Sequence, residues 1–153
     1  MTQLFLVRHG AILGGWWTWW QDPPLAPDGI VQAQQIAERL ATLQRPLVLY
    51  TSPLPRARLT AEIIGRRLDV VPVVEPRLRE ASFGTVLVLV LLLALCRLGI
   101  IARLDVVAVC SAFAPDFKRF YYRVAQAIDA IIDRHPDTEI VIVSHGGAIR
   151  AAL

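Results

Sequence analysis

The sequence predicts a three-layer α/β/α sandwich built on a mostly parallel central sheet, and three observations carry that expectation. Short apolar, strand-like runs alternate with amphipathic helical segments along most of the chain, the pattern of a parallel sheet covered by helices on both faces. The length of 153 residues is enough for one domain with its own core. The composition, 55% hydrophobic and 19% charged, excludes a disordered chain, which is poor in apolar residues and rich in charge. No internal repeat or low-complexity linker divides the sequence, so residues 1–153 are read as a single α/β domain.

Taken in order, Gln3 to Val7 alternates loosely and leads into Arg8-His9-Gly10, a strand feeding a loop. Residues 11–24 read as loop, with Gly14-Gly15, the four tryptophans Trp16, Trp17, Trp19 and Trp20, and Asp22-Pro23-Pro24. A helix is expected from near Asp28, with Pro27 just before it and Val31, Ala33, Ile36, Ala37, Leu40 and Leu43 at helical spacing. Pro46 ends it, and Leu47 to Tyr50 is a short strand. A second helix is expected over roughly Pro53 to Leu68, with Leu54, Ala57, Ala61, Ile64 and Leu68 on one face. Pro53 suits its first turn, where the missing N–H has no helical partner to lose. Val70 to Val74, broken by Pro72, reads as an edge strand, and Glu75 to Gly84 as a loop.

A clear amphipathic helix then runs from about Asp116 to Arg134, with Phe117, Phe120, Tyr121, Val124, Ile128, Ile131 and Ile132 as its buried stripe. His135-Pro136-Asp137 stops it, and His135 reads as a residue closing the helix C-terminus. Glu139 to Val143 is a fourth strand, entering Ser144-His145-Gly146-Gly147, and a last helix begins near Ala148.

Between these elements, residues 85–114 are an atypical apolar block whose type the periodicity leaves open. Val86 to Leu95 is apolar without a break. A membrane span needs about 20 predominantly apolar residues, and here Arg97, Arg103 and Asp105 follow closely, so a buried element is expected rather than a membrane contact. The N-terminus has no basic stretch and no cleavage pattern, and Cys96 and Cys110 read as reduced thiols rather than a disulfide framework or metal ligands. Both point to the cytoplasm. The net charge of +3 comes from scattered arginines, which argues against a nucleic-acid partner and suits a small anionic molecule.

In an open α/β sheet, ligands bind beyond the carboxyl ends of the strands. Three such ends carry chemistry here: Arg8-His9-Gly10, Ser52 leading to Arg56, and His145-Gly146-Gly147. If the strands are neighbours, two histidines and two arginines converge. Arginine forks bind phosphate oxygens in pairs, an imidazole is a competent nucleophile near neutral pH, and the glycines let backbone approach an anion.

Leu6-Val7-Arg8-His9-Gly10, the run from Ser52 through Arg56 to Glu62, and Val143-Ser144-His145-Gly146-Gly147-Ala148-Ile149-Arg150 resemble the histidine phosphatase superfamily, the phosphoglycerate mutase-like proteins. Asp22-Pro23-Pro24-Leu25 with Gly29 and Gln32-Ala33, and Leu78-Arg79-Glu80 with Phe83-Gly84, agree with it. The resemblance implies a phosphoglycerate mutase-like fold and assigns roles. His9 would attack phosphorus and carry a phosphohistidine. Arg8, Arg56 and His145 would hold the phosphoryl oxygens, with Gly10 and Gly146 offering backbone donors. Glu80 would protonate the leaving oxygen and then help activate water, so activity should favour mildly acidic pH. No metal and no cofactor are implied, and the partner is a small-molecule phosphate ester.

Three departures from the family pattern stand out. Ala11, Ile12, Leu13, Gly14 and Gly15 replace the usual hydroxyl and amide donors after Arg-His-Gly. The apolar block stands where a polar, pocket-shaping insert is usual. The chain stops eight residues after His145, where the family adds a complete helix and at least one strand, so the resemblance leaves open a fold truncated at the C-terminus. The tryptophan cluster beside the nucleophile reads equally as an apolar lid or as loop packing, with a homodimer contact as a third choice. The favoured activity is a metal-independent phosphomonoester hydrolase. The alternatives are phosphoglycerate mutase-type transfer by the same residues and a non-catalytic phosphate-binding relative.

Overall fold

A computed structural model of the chain describes residues 2–14, 22–43, 47–81 and 106–152. Its elements are strand β1 (Gln3–Arg8), helix α1 (Pro27–Leu40), strand β2 (Leu47–Thr51), helix α2 (Pro55–Leu68), strand β3 (Val73–Val74), a single 3₁₀ turn (Pro76–Leu78), helix α3 (Val106–Arg134), strand β4 (Glu139–Ser144) and helix α4 (Gly146–Ala152). The four strands form one parallel sheet in the order β1-β4-β2-β3.

The expected layering is present. β4 lies in the middle of the sheet and every one of its residues is buried. Successive side chains of a strand point to opposite faces, and β4 divides accordingly. Ile140 and Ile142 pack with Tyr50, Leu78 and the Phe120, Val124, Ala127, Ile128 and Ile131 stripe of α3. Val141 and Val143 pack on the other face with Leu49, Ala37 and Leu40 of α1, and Ala57, Ala61 and Ile64 of α2. β3 is short and lies at the sheet edge, as Pro72 implies.

Several boundaries differ from the sequence reading, each for a physical reason. Pro27 is inside α1, at its start, rather than before it. In α2 the first helical residue is Pro55, not Pro53. A proline disfavours the helical region for the residue before it, and Leu54 is extended at φ −70°, ψ 138°, so the helix cannot begin until Pro55. Val31 is half-exposed, and Tyr121 lies at the margin of the α3 stripe, 44% exposed, edge-on to Phe120.

Helix α3 begins at Val106, ten residues earlier than expected, and runs through Pro115. Proline is a start signal in sequence, but here it is an interior residue, and having no N–H it leaves the Ser111 carbonyl without its usual helical donor. Residues 106–114 of the apolar block are therefore helical. The rest of the block, including Val86 to Leu95 and Cys96, lies outside the described residues, as do the four tryptophans. Among the described residues no helix is long and apolar enough to cross a membrane.

Candidate active site

The parallel register explains why the motifs meet. Arg8 pairs with Ser144, and Thr51 pairs with Val143, so β1, β4 and β2 end level with one another. The backbone then holds the next residues in place. His9 donates its N–H to the Ser144 carbonyl (3.0 Å), and Ser52 donates to the Val143 carbonyl (3.0 Å). His9, Ser52 and His145 consequently leave adjacent strands at one end of the sheet, the end where such folds bind ligands.

His9 is held as one tautomer. Its Nδ1 lies 2.8 Å from the Gly10 carbonyl oxygen. A carbonyl can only accept, so Nδ1 carries the proton and Nε2 carries the lone pair. The Nε–H of Arg56 donates to that Nε2 at 3.3 Å, which agrees. Burial lowers the His9 pKa to about 4, helped by the positive charges of Arg56 and Arg8 and opposed by the Gly10 hydrogen bond. The imidazole is thus neutral at pH 7, with the Nε2 electron pair turned toward Arg56.

His145 is almost wholly buried, its ring tilted against that of His9 with centroids 5.1 Å apart. Its Nε2 lies 2.7 Å from Ser52 Oγ, and Ser52 Oγ also accepts from the Leu54 N–H (3.4 Å). Its Nδ1 is buried with no hydrogen-bond partner among the described residues. Burial, then the charges around it, with Arg56 foremost, lower its pKa to about 2. A buried ring nitrogen left unsatisfied is costly, and here it stands beside the candidate nucleophile.

Arg56 comes from the first turn of α2 and is 3% exposed. Besides its bond to His9, its Nη1 forms a 2.8 Å ion pair with Asp22 Oδ1. Arg8, at the end of β1, is exposed and lines the same cavity. An added Cβ on Gly146 would stand 3.9 Å from Arg8 Nε, so Arg8 lies close to the start of α4. Arg58 points away from the site and faces Glu62 one turn along the helix, at 3.9 Å.

Gly10 lines the cavity, but its N–H is already committed to Thr60 Oγ1 (3.2 Å), and Thr60 in turn donates to the Arg56 carbonyl (2.8 Å). Its lack of a side chain serves packing: a Cβ there would collide with the Gly29 carbonyl of α1. The backbone donor expected from Gly10 is therefore engaged within the protein, and glycine is required by the close approach of α1.

Glu80 reaches the site from the loop after the 3₁₀ turn, a loop anchored where Ser144 Oγ donates to the Leu78 carbonyl (3.0 Å). Its carboxylate accepts from its neighbour's N–H, Ala81 (3.0 Å), and from the Gly147 N–H (3.2 Å). A Cβ on Gly147 would lie 2.5 Å from Glu80 Oε1, so this glycine admits the carboxylate. Gly146 opens α4 and lines the cavity.

All the site residues expected from sequence therefore gather at one end of the sheet. Except for the buried His145, they line a cavity of about 960 Å³ that also includes Ile12, Gln32, Ile36, Thr60 and Arg150. Ala11 and Ile12 line this wall, and the Gln32 side chain accepts from the Ala11 N–H at 2.9 Å. Asp22 and Thr60, and the Ser52 contact to His145, were not legible as site features. The one available hint was Thr60 standing four residues after Arg56, on the same helical face. His135 lies away from the site, its Nε2 3.0 Å from Tyr50 Oη. Among the described residues no group of three His, Cys, Asp or Glu side chains could hold a metal ion.

Comparison with known proteins agrees with this geometry. The family model described as histidine phosphatase superfamily (branch 1) matches residues 4–89 and 106–153. A metal-independent phosphoserine phosphatase of Arabidopsis thaliana is 28% identical over 99% of this chain and 67% of its own length. Phosphoglycerate mutase-like protein 4 of the same plant is 32% identical over 97% of this chain and 68% of its own. Among solved structures, Bacillus stearothermophilus YhfR superposes with a TM-score of 0.72 at 27% identity, over 99% of this chain and 77% of that one.

Proposed function

The chain belongs to the histidine phosphatase superfamily (branch 1), and on that premise we propose that it hydrolyses small-molecule phosphomonoesters through a phosphohistidine formed on His9. The observation that carries this reading is the His9 ring itself: Nδ1 tied to the Gly10 carbonyl, Nε2 bearing its lone pair toward Arg56, and the ring neutral at pH 7.

In the first step the Nε2 lone pair attacks phosphorus and the bond from phosphorus to the ester oxygen breaks. The leaving oxygen takes a proton from Glu80. Arg56 and Arg8 hold the phosphoryl oxygens; with the Ser52 hydroxyl donating a hydrogen bond to Nε2 of His145, the ring carries its proton on the unpartnered Nδ1, which donates to one of them. In the second step water attacks phosphorus and the P–N bond breaks. Glu80, now a carboxylate, takes the proton of the water. The products are the alcohol and inorganic phosphate. No step calls for a metal ion, in keeping with the relative named as a metal-independent phosphoserine phosphatase, and that name makes a phosphorylated amino acid the first substrate class to try. The low cysteine count suits a cytoplasmic setting.

Relatives named as probable phosphoglycerate mutases, 37–38% identical over 55% of this chain, favour a second reading, transfer of the phosphoryl group to another substrate hydroxyl. One experiment separates the readings. Wild type should release phosphate from an aryl phosphate and from phosphoserine, and His9→Ala should not. Isomerisation of 3-phosphoglycerate with a bisphosphoglycerate primer would establish the mutase. A well-folded wild type with neither activity would leave only a phosphate-binding relative.

A further inference from the structure

We propose that Asp22 is a positioning residue for Arg56, holding one side of its guanidinium so that the opposite, two-toothed edge faces Nε2 of His9; this rests on the reading of His9 as nucleophile. Two other ion pairs of the same protein show an edge of the guanidinium that grips an anion with two hydrogen bonds. Arg67 holds Glu38 through Nε (2.7 Å) and Nη2 (3.0 Å), and Arg77 holds Glu75 through Nε and Nη2, both at 2.9 Å. That Nε–Nη2 edge offers two parallel donors to a carboxylate or phosphoryl group.

Arg56 is arranged differently. Asp22 Oδ1 takes Nη1, the nitrogen outside that edge, at 2.8 Å. Nε meets His9 Nε2, the atom that would bond to phosphorus, at 3.3 Å. The ion pair therefore leaves the two-toothed edge directed at the reacting nitrogen. Asp22 is thus no substitute for the phosphoryl group; both can be bound to Arg56 at once.

The surroundings make such a hold necessary. The Arg56 side chain is 4% exposed, whereas the Asp22 side chain is 38% exposed, so a partly exposed carboxylate grips a buried cation. A buried guanidinium without a partner is costly, and its neighbours His9 and His145 both have lowered pKa values and supply no negative charge. Asp22 also adopts φ 52° immediately before Pro23. A positive φ is uncommon outside glycine and is tolerated best by Asn and Asp, and a following proline restricts the residue further. Backbone strain of this kind persists where the surroundings hold it in place, here at the residue that reaches Arg56.

The test measures inorganic phosphate binding by calorimetry, which needs no turnover, in full-length wild type, Asp22→Ala, Asp22→Asn, Arg56→Ala and the Asp22→Ala/Arg56→Ala double variant. Asp22→Ala should weaken phosphate binding about tenfold. Asp22→Asn keeps an oxygen for Nη1 and should recover most of that loss. In the Arg56→Ala background, Asp22→Ala should cost nothing further, because Asp22 acts through Arg56. Equal or tighter phosphate binding by Asp22→Ala would make Asp22 a competitor and overturn the proposal. So would losses that multiply in the double variant, or no phosphate binding by wild type. Wild type that binds phosphate with this pattern but never turns over would overturn the proposed function and leave the role of Asp22 standing.

Discussion

Two places in the molecule use histidine, and they use it differently. His9 and His145 sit where β1 and β4 end, beside the buried Arg56, and both have their pKa lowered, foremost by burial. His135 sits before β4 begins, its ring against Tyr50 and its carbonyl accepting from the Thr2 hydroxyl at 3.3 Å. At that end the polar groups close on one another. At the other end one nitrogen of His9 faces a cation and one nitrogen of His145 has no partner among the described residues. The difference teaches that residue type does not mark the site. Polar capacity left over after folding marks it, together with positive charge gathered around it.

The sharpest way to break the comparison is to remove one histidine from each end. His9→Ala should lower kcat/KM for an aryl phosphate by about three orders of magnitude or more, as expected for loss of a nucleophile. His135→Ala should leave it within about twofold. If steady-state kinetics gave comparable losses for both, the division between the two ends would be wrong.

Next in size is Glu80. Glu80→Gln should cost about 10²-fold on a substrate with a poor leaving group and clearly less on an aryl phosphate, whose leaving oxygen scarcely needs a proton. Equal losses across a series of leaving groups would remove Glu80 from the role of general acid.

The pH dependence sharpens the same contrast. The folded-state pKa of His9 is about 4, below the ordinary histidine value of 6.5. The nucleophile therefore stays neutral as pH falls from 7 toward 4, and its ionisation should limit kcat/KM only near pH 4. Arg8→Gln removes one of the charges that depress this pKa and should move the acidic limb upward. The same shift links to stability. The unfolded chain takes up protons on His9 and His145 near pH 6.5 while the folded chain does not. Their contribution is present above pH 6.5 and is lost as pH falls toward about 4 for His9 and further for His145. An acidic limb found near 6.5 would contradict the burial and charge environment described for His9.

How far the sequence led follows from what each feature depends on. Arg8, His9, Arg56 and His145 were legible because short motifs at strand ends need only the parallel alternation to bring them together, whereas Glu80, in a loop, was named only through the resemblance to the family. The amphipathic stripe of α3 was legible because 3.6-residue spacing is local information, although Tyr121 fell at its margin. The start of α2 was misread because two prolines two residues apart both suit a first turn, and the choice depends on the backbone of Leu54. The start of α3 was misplaced because its first turns, from Val106, lie in the apolar block, whose periodicity leaves its type open. Asp22, Thr60 and the Ser52–His145 bond were hidden because each is a contact between residues distant in sequence, across 34, 50 and 93 positions. Gly10 was read as an anion donor because nothing in the sequence announces that Gly29 will pack against it.

The smallest effects belong to the structural end of the comparison. Thr60→Val removes the link from Gly10 to the Arg56 backbone and leaves a buried N–H unsatisfied, so thermal unfolding should show a loss of about 1–3 kcal/mol with His9 chemistry slowed only modestly. His135→Ala should cost about 1 kcal/mol in the same measurement through the lost Tyr50 bond. A stability loss for His135→Ala well above that for Thr60→Val would reverse the ranking.

The most direct test of the central claim is to trap the intermediate. Wild type mixed with a radiolabelled phosphate ester and quenched rapidly in alkaline detergent should carry label that survives base, is lost in mild acid, and maps to the peptide containing His9, while His9→Ala carries none. Turnover without any trapped label, or acid-stable label on a different residue, would contradict a phosphohistidine on His9.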